Sequence, residues 1–162
     1  GAAGGLLELR PADPSLGHVA EVVGVETGPL DTLLKGGLTP VVAPIGSIAG
    51  RLYNVNADAV AGAIAGARGG RLVLCTDVPA VLRAGQPVSE LDLDAAQQML
   101  DSGEADAGMR PKLRAAIAAS GAGCEVIIID GRSTAQVEAA LIGRSVGTAI
   151  VAPGIGAVRE VS

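Results

Sequence analysis

The sequence has 162 residues, a formal net charge of −5 and an isoelectric point near 4.8. It has no basic face and contains one Tyr but no Phe or Trp, which argues against nucleic-acid binding. No apolar run approaches the roughly 20 residues that cross a bilayer, and no basic stretch leads into an apolar one as in a signal peptide. We therefore expect a cytoplasmic protein with a core of small aliphatic side chains, and with neither nucleic-acid nor membrane partners.

Short, continuous apolar runs are typical of strands that are covered on both faces of a parallel sheet. Residues 20–25 predict a strand at a sheet edge or half-exposed, because they include Glu21 and Gly24. Further along the chain, apolar runs predict strands at residues 41–45, 72–75 and 126–129, and a weaker one at 148–151.

Segments with helical apolar spacing lie between these strands. The alternation predicts an α/β fold with a largely parallel sheet. Glycine follows each helical segment, and we expect a left-handed residue there to end the helix. The predicted helices span residues 30–34, 57–68, 93–100, 112–119 and 135–142. The glycines are Gly36 with Gly37, Gly69 with Gly70, Gly103, Gly121 and Gly143.

Residues 79–92 follow a predicted strand and mix Pro and Gly with alternating Val and Leu. They predict a loop or a small β-ribbon at the carboxyl edge of the sheet, where open α/β sheets place ligands. No internal repeat or interdomain linker interrupts the sequence. We expect one domain over residues 1–152 and a loose tail over 153–162, and the start without Met suggests a chain cut within a domain.

The two cysteines, Cys75 and Cys124, lie within or beside apolar runs, without CxxC spacing or a neighbouring His. We expect both to be buried packing residues, and we predict no metal site in the protein.

The first candidate site is Asn54-Val55-Asn56-Ala57-Asp58, which opens a predicted helix after a strand and a turn. Backbone amides at a helix N-terminus favour an anion. A purely structural interpretation makes Asn56 the N-cap and Asp58 a first-turn acid. That interpretation leaves Asn54 unexplained, so a cap and a binding site are both open.

The second candidate is Lys112, which follows Pro111. Proline suits the first helical position, so this lysine is predicted in the first turn, where a cation opposes the helix dipole by typically ~0.3 to 1 kcal/mol. An anion bound between the lysine and the helix N-terminus would make the interaction favourable. The chain has two lysines against ten arginines. A solvated lysine beside Arg110 and Arg114 is the alternative.

The third candidate is Thr76-Asp77, the polar end of a predicted strand. Established phosphate-binding signatures do not occur, because the sequence has neither GxxxxGK[ST] nor a GxGxxG that follows a strand. Serines such as Ser47 and Ser89 lack both a GxSxG context and a nearby His, which leaves a nucleophilic hydrolase unsupported.

Six motifs in the same order resemble those of the N-acetylglutamate kinase branch of the amino-acid kinase family. They are TPVVAPIG at 39–46, YNVNAD at 53–58, LCTDVP at 74–79, GMRPK at 108–112, IDGR at 129–132 and GT at 147–148. The resemblance extends from residue 4 to residue 148. It implies an αβα sandwich of the amino-acid or carbamate kinase type, of which this chain is the C-terminal, ATP-binding part.

The resemblance also implies an activity, the ATP-dependent phosphorylation of the side-chain carboxylate of N-acetyl-L-glutamate in arginine biosynthesis, with Mg²⁺ on the nucleotide. Lys112 would stabilise the transferring phosphoryl group, Asp58 would organise the catalytic lysines, and Asn54 would bind the acetylglutamate substrate. The implied nucleotide-binding residues are Thr76, Asp77, Val78, Pro79, Ala80, Val81, Leu82, Glu104, Ala105 and Asp106. For the last three, the resemblance implies contact more through backbone than through side-chain identity.

The sequence departs from the family pattern in two ways. The N-terminal half of these kinases carries a first catalytic lysine, glycine-rich donors, a substrate-binding arginine and most of the dimer surface, and this chain lacks it. We therefore expect the isolated chain to be inactive and expect homo-oligomers only of a full-length form. Alanine also stands at Ala20 and Ala80, where the family usually has glycine. A Cβ there would be costly if the backbone needs a positive φ or must approach the nucleotide closely.

Two other functions stay open at this stage. One is a non-catalytic half-kinase that binds nucleotide without transferring phosphate. The other is a related carboxylate kinase that acts on carrier-bound aminoadipate.

Overall fold

The computed structural model describes residues 4–152 of the chain. It forms two compact units, Gly1–Arg68 and Gly69–Ser162. The predicted tail at 153–162 lies outside the described residues, and the single domain over 1–152 stays a prediction. Within the described range, no helix is long and apolar enough to cross a membrane.

The first unit contains a four-stranded sheet, sheet A, in the order β1-β2-β4-β3. Strands β2 and β4 pair in parallel, whereas β1 with β2 and β3 with β4 pair antiparallel. A 3-10 helix, Pro14–Leu16, lies between the first two strands. The elements are β1 (Leu7–Pro11), β2 (Val19–Val25), α1 (Gly28–Lys35), β3 (Ile45–Ile48), β4 (Arg51–Val55) and α2 (Ala57–Arg68).

One face of sheet A forms the core of this unit. Leu7 of β1, Ala20 of β2 and Val55 of β4 are buried together with Leu30 of α1 and Val60 of α2. Because side chains alternate along a strand, the neighbouring residues of β2 and β4 lie on the opposite face. Burial of each large aliphatic side chain in such a core stabilises the fold by about 1.5 to 3 kcal/mol.

The strand predicted at residues 41–45 is wrong, since only Ile45 belongs to a strand. Val41 is 96% exposed, and Pro40 and Pro44 have no N–H to donate to a sheet. The sequence prediction missed strand β4, which pairs with β3 across a two-residue turn. Ala49 and Gly50 in that turn have φ values of 49° and 79°, the double positive φ of a type I′ hairpin.

The strand predicted at 20–25 exists as β2, and it is half-exposed as expected. Its predicted edge position is wrong, because β2 lies between β1 and β4. Glu21 on its exposed face forms an ion pair with Arg10 of β1 at 2.8 Å. An acidic residue is therefore accommodated in an interior strand, because the face on which it lies is open to solvent.

The second unit contains another four-stranded sheet, sheet B, in the order β5-β9-β10-β8. Strands β5 and β9 pair in parallel, β9 and β10 antiparallel, and β10 and β8 in parallel. A two-stranded ribbon, β6 with β7, confirms the ribbon predicted within residues 79–92. The elements are β5 (Arg71–Thr76), β6 (Leu82–Arg83), β7 (Gln86–Pro87), β8 (Glu90–Asp92), α3 (Leu93–Ser102), α4 (Met109–Gly121), β9 (Glu125–Asp130), α5 (Thr134–Leu141) and β10 (Thr148–Val151).

Helices cover both faces of sheet B. Ile127 and Ile129 of β9 are buried with Ala140 of α5 on one face. Val126 and Ile128, which alternate with them, are buried on the other face. Helix α4 packs against β5, β9 and β10, and α3 packs against α4. The α/β class and its αβα layering are confirmed in this unit. Parallel pairing predominates here but not in sheet A, which is mixed.

The glycine signals at helix ends are partly confirmed. Gly103 ends α3 with φ 77° and ψ 11°, in the left-handed region. Gly121 is instead the last residue of α4, and the left-handed residue is Gly123, with φ 88°. The cysteine prediction holds for Cys124, which is buried, and is wrong for Cys75, which is exposed at the end of β5.

Candidate functional site

The Asn54–Asp58 segment joins a strand directly to a helix in the first unit. Asn54 is an exposed residue of β4, and its N–H donates to the His18 carbonyl at 2.8 Å. The Asn56 side chain accepts the Ala59 N–H at 3.0 Å, which confirms it as the N-cap of α2. Asp58 lies in the first turn of that helix. The cap therefore explains Asn56, Asp58 occupies the predicted first-turn position, and Asn54 belongs to strand β4, which was not predicted.

The start of α4 differs from its prediction. Pro111 is the third helical residue, not the first, and Lys112 is the fourth. The Asp106 carboxylate accepts the Met109 N–H at 2.7 Å, and the Asp106 carbonyl accepts the Arg110 N–H at 3.0 Å. A carboxylate of the chain itself thus caps this helix, so the helix dipole alone does not require a bound anion beside Lys112.

A pocket of about 200 Å³ lies in the second unit, where the ribbon faces the end of α3 and the start of α4. Apolar side chains predominate in its lining, with two carboxylates among them. Its lining residues are Val78, Leu82, Ala84, Gly85, Met99, Glu104, Ala105, Asp106 and Met109. Ligand sites in proteins are typically concave and mostly apolar with a few polar groups, and this pocket has that character.

Two carboxylates of the pocket hold backbone amides. Glu104 accepts the Ala84 N–H at 2.5 Å, which ties the segment after α3 to the tip of the ribbon. Asp106 caps α4 as described above. The Ala105 N–H donates to the Met99 carbonyl at 3.2 Å. The connection between α3 and α4 is therefore fixed by hydrogen bonds on both sides of the pocket.

The base of the ribbon is anchored to sheet B by Thr148, which is fully buried. Its hydroxyl accepts the Val81 N–H at 2.9 Å and donates to the Val88 carbonyl at 2.5 Å. Val81 and Val88 also pair with each other, since the Val88 N–H donates to the Val81 carbonyl at 3.0 Å. Both sides of the ribbon therefore meet at one side chain of β10.

Polar groups converge at the carboxyl ends of β5 and β9. Arg132 Nε donates to Asp130 Oδ1 at 3.0 Å and Arg132 Nη2 to Asp130 Oδ2 at 3.1 Å, while Nη2 also donates to the Asp77 carbonyl. The hydrogen bonds from the Arg132 side chain and amide hold the pKa of the Asp130 carboxyl below its ordinary value. Asp130 in turn raises the pKa of Arg132.

The structure brings together about half of the predicted nucleotide-binding residues. Val78, Leu82, Glu104, Ala105 and Asp106 all line the pocket. Thr76 and Asp77 lie at the end of β5, just before it, and Pro79 is exposed outside it. Ala80 and Val81 are buried and support the ribbon from behind. Lys112 follows the pocket residue Met109 by three positions on α4 and is not itself part of the lining.

Sequence analysis missed four pocket residues, Ala84, Gly85, Met99 and Met109. The two methionines are the only ones in the chain, and both are almost fully buried at the pocket. Two methionines on either side of the Glu104–Asp106 segment were an available signal, because methionine often fills adaptable binding surfaces.

The backbone of Ala20 and Ala80 answers whether either position needs a positive φ. In the part of the chain that the structure describes, the non-glycine residues with positive φ are Ala49 and Ala84. Both Ala20 and Ala80 are buried and have ordinary φ values. A Cβ at these two positions therefore causes no backbone strain.

These features define an α/β protein with a mostly apolar pocket between a ribbon and two helix ends, at the carboxyl end of a sheet strand. The chain belongs to the amino acid kinase family, whose family model matches residues 2–130.

Two similar curated proteins are acetylglutamate kinases. That of Rubrobacter xylanophilus is 45% identical over 151 residues, which are 93% of this chain and 59% of the relative. That of Geobacillus kaustophilus is 43% identical over 138 residues, which are 83% of this chain and 54% of the relative. The chain spans about half the length of these relatives.

Among solved structures, the N-acetylglutamate synthase of Neisseria gonorrhoeae, complexed with coenzyme A and L-arginine, matches with a TM-score of 0.79. The match covers 91% of this chain and 37% of that one at 24% identity, which shows a common fold.

Proposed function

We propose that this chain is the ATP-side portion of a kinase that phosphorylates the side-chain carboxylate of N-acetyl-L-glutamate. The observation that carries the proposal is the pocket itself, because five of its residues are among those that the family resemblance implies for nucleotide binding. The identity of 45% and 43% to two acetylglutamate kinases supports the choice of acceptor.

The size and lining of the pocket favour part of a nucleotide over the whole molecule. Sites for drug-sized ligands measure about 300 to 1,000 Å³, and this pocket has about 200 Å³. Its apolar walls suit the flat faces of a base, which would pack against aliphatic side chains because the chain has no Phe or Trp for stacking. The phosphates would then extend from the pocket toward solvent.

The proposed reaction is phosphoryl transfer to a carboxylate. A carboxylate oxygen attacks the γ-phosphorus in line, a C–O–P bond forms, and the bond to the bridging oxygen breaks, so that ADP leaves with the electron pair. Lys112 is our candidate for stabilising the charge of the transferring group, since such transfer depends on positioning and charge neutralisation. Asp58 is the candidate organiser of catalytic lysines and Asn54 the candidate ligand of N-acetylglutamate.

Magnesium is proposed as a companion of the nucleotide and not as a resident ion. Among the described residues, no group of three or more His, Cys, Asp or Glu side chains could hold a metal. Mg²⁺ usually keeps waters and binds through one or two carboxylates together with substrate phosphates, so it needs no larger cluster of protein ligands. When bound, the ion would neutralise phosphate charge.

A second candidate function is nucleotide binding without transfer. It is favoured by the pocket, because all of its lining residues belong to the second unit of this chain. In this case the chain by itself binds ATP and forms no acyl phosphate. Acyl phosphates react with hydroxylamine to give coloured hydroxamates, so the two candidates are separated by one assay on the 162-residue chain.

A chimera tests the enzymatic proposal directly. The matched 59% of the Rubrobacter xylanophilus kinase is replaced by this chain, and the relative supplies the remainder. We expect ATP-dependent hydroxamate formation with N-acetyl-L-glutamate, and its loss on Lys112→Ala. The matched control is Lys35→Ala, which changes the other lysine of the chain, an exposed residue at the end of α1.

Two results would contradict the proposal. A chimera that is folded and binds ATP but phosphorylates no N-acetyl-L-glutamate would refute the acceptor, and activity on carrier-bound aminoadipate instead would identify the related kinase. Full activity of Lys112→Ala would refute the role of that lysine.

A further inference from the structure

The ends of strands β5 and β9 are joined by a group of contacts that the proposed reaction does not use. Thr76 and Asp130 are register partners in the sheet. Beyond that pair, the Gly131 N–H donates to the Thr76 carbonyl at 2.9 Å, and Arg132 Nη2 donates to the Asp77 carbonyl. We call these contacts the strand-end bridge.

Arg132 is held in a fixed orientation in this bridge. Both oxygens of Asp130 accept from its guanidinium, at 3.0 and 3.1 Å. Asp130 is itself held, because its N–H donates to Gln136 Oε1 at 3.0 Å and its carboxylate also accepts the Arg132 N–H at 2.9 Å. A two-point arginine–carboxylate contact fixes direction as well as distance. The Nη2 atom is thus aimed at one backbone carbonyl.

The turn after β9 and the end of β5 also lie very close together. A Cβ added to Gly131 would lie 2.8 Å from the Cβ of Cys75, closer than such atoms come in proteins. The turn after β9 therefore lies directly against the end of β5, and Gly131 permits that contact.

The carbonyl that Arg132 holds belongs to the residue just before the pocket. Asp77 is followed by Val78, which lines the pocket, and the chain then runs to the anchored amide of Val81. The segment from 77 to 81 is thereby fixed at both ends, at one by Arg132 and at the other by Thr148. Freeing the first end lets Val78 move relative to α3 and α4.

We infer that Arg132, oriented by Asp130, is a positioning residue that fixes the Asp77–Val78 wall of the nucleotide pocket. This inference rests on the proposed function. Arg132 acts through the Asp77 carbonyl and not through contact with the nucleotide. Its contribution to binding comes from holding the pocket wall in place before the ligand arrives, which lowers the ordering cost of binding.

The chain offers a matched control at the other end of the same two strands. Arg71, the first residue of β5, forms an ion pair with Glu125, its register partner in β9. Arg71 also donates to the Ala140 carbonyl at 2.9 Å. It therefore joins the same strands as Arg132, but at the end away from the pocket. Arg71→Gln removes another arginine contact between the same two strands and leaves the hydrogen bond from Arg132 to the Asp77 carbonyl in place.

The experiment compares Arg132→Gln, Arg132→Lys and Arg71→Gln with the wild-type 162-residue chain. The dissociation constant for Mg–ATP is measured by calorimetry, and amide hydrogen exchange is measured by peptide segment. We expect Arg132→Gln to weaken Mg–ATP by roughly two- to tenfold, because the freed segment 77–82 must then be ordered when the nucleotide binds. Exchange should rise over residues 77–82, and Arg132→Lys should restore part of the affinity.

Arg71→Gln should raise exchange at the starts of β5 and β9 and leave the Mg–ATP dissociation constant unchanged. The inference is overturned if Arg132→Gln leaves exchange over 77–82 unchanged, or if that exchange rises while affinity stays at the wild-type value. It is also overturned if Arg71→Gln weakens Mg–ATP equally. Absence of Mg–ATP binding by the wild-type chain would instead refute the proposed function, and the exchange data would still decide whether the bridge orders residues 77–82.

Discussion

Thr148 and Val81 are joined by a buried hydrogen bond of 2.9 Å that connects sheet B to the base of the pocket ribbon. The same hydroxyl donates to the Val88 carbonyl on the other side of the ribbon. A single oxygen therefore acts as both acceptor and donor for two backbone groups, and no solvent reaches it, because Thr148 has 0% exposed surface.

Thr148→Val is expected to destabilise the chain by about 1 to 3 kcal/mol, because it leaves a buried amide and a carbonyl without partners while keeping side-chain shape. Thr148→Ser keeps the hydroxyl and is the control, with an expected loss of about 1 kcal/mol for one missing methyl group. Urea unfolding measures both. Equal stability of Thr148→Val and the wild type would show that the anchor contributes nothing.

The ribbon turn contains a strained alanine. Ala84 has φ 49°, and Ala49 in the β3–β4 turn has the same value. An L-residue in this region costs roughly 1 to 2 kcal/mol relative to glycine, so Ala84→Gly and Ala49→Gly should each raise the free energy of unfolding by about 1 kcal/mol. Ala20→Gly, in a strand with ordinary φ, should lower it by about 0.5 to 1 kcal/mol or more. The account of strain fails if all three substitutions destabilise alike.

Lys112 should distinguish ATP from ADP. If it contacts the γ-phosphoryl group, Lys112→Ala weakens Mg–ATP by about tenfold, the scale of one hydrogen bond to a charged group, and changes ADP affinity far less. Lys35→Ala should change neither constant. Calorimetric titration of both nucleotides into both variants measures this. Equal weakening of ATP and ADP would place Lys112 elsewhere on the nucleotide or attribute its effect to folding.

Because Asp130 and Arg132 are paired, we expect the stability of the fold to depend on pH in the acidic range. The hydrogen bonds from Arg132 to the Asp130 carboxylate lower its folded-state pKa below the ordinary value of 3.8. The stabilisation is therefore fully present above that ordinary value and is lost as the pH falls through the lower, folded-state pKa.

Asp130→Asn removes this contribution at every pH, so its melting temperature should fall less than that of the wild type between about pH 6 and about pH 3. Because the Arg132 side chain is 67% exposed, the difference should be small and should shrink in high salt. Arg132→Gln should likewise reduce the fall in melting temperature over this pH range. A variant curve parallel to the wild-type curve would contradict the assignment.

Local signals predicted two elements with the correct bounds. Helix α2 matches its prediction of 57–68, because apolar spacing, the Asn56 cap and the glycines at 69 and 70 all agree. Strand β10 also matches, at 148–151. The run at 41–45 failed because an apolar segment bracketed by prolines has the composition of a strand but lacks the donors to pair as one.

The pocket was predicted only in part because it depends on contacts between distant segments. Val78, Leu82 and Glu104–Asp106 were identified through family resemblance. Ala84 enters the site because its amide meets Glu104 across 20 positions of sequence. Likewise, Arg132 reaches Asp77 only because β5 and β9 are neighbours, and sheet order was not readable from the sequence.

The most direct test of the central claim is to titrate Mg–ATP into the isotopically labelled chain, whose mass is 15.9 kDa, and follow amide chemical shifts. The account predicts saturable shifts concentrated at residues 78–85 and 99–109, the two segments that line the pocket. The absence of shifts, or shifts that leave these two segments unchanged, would contradict it.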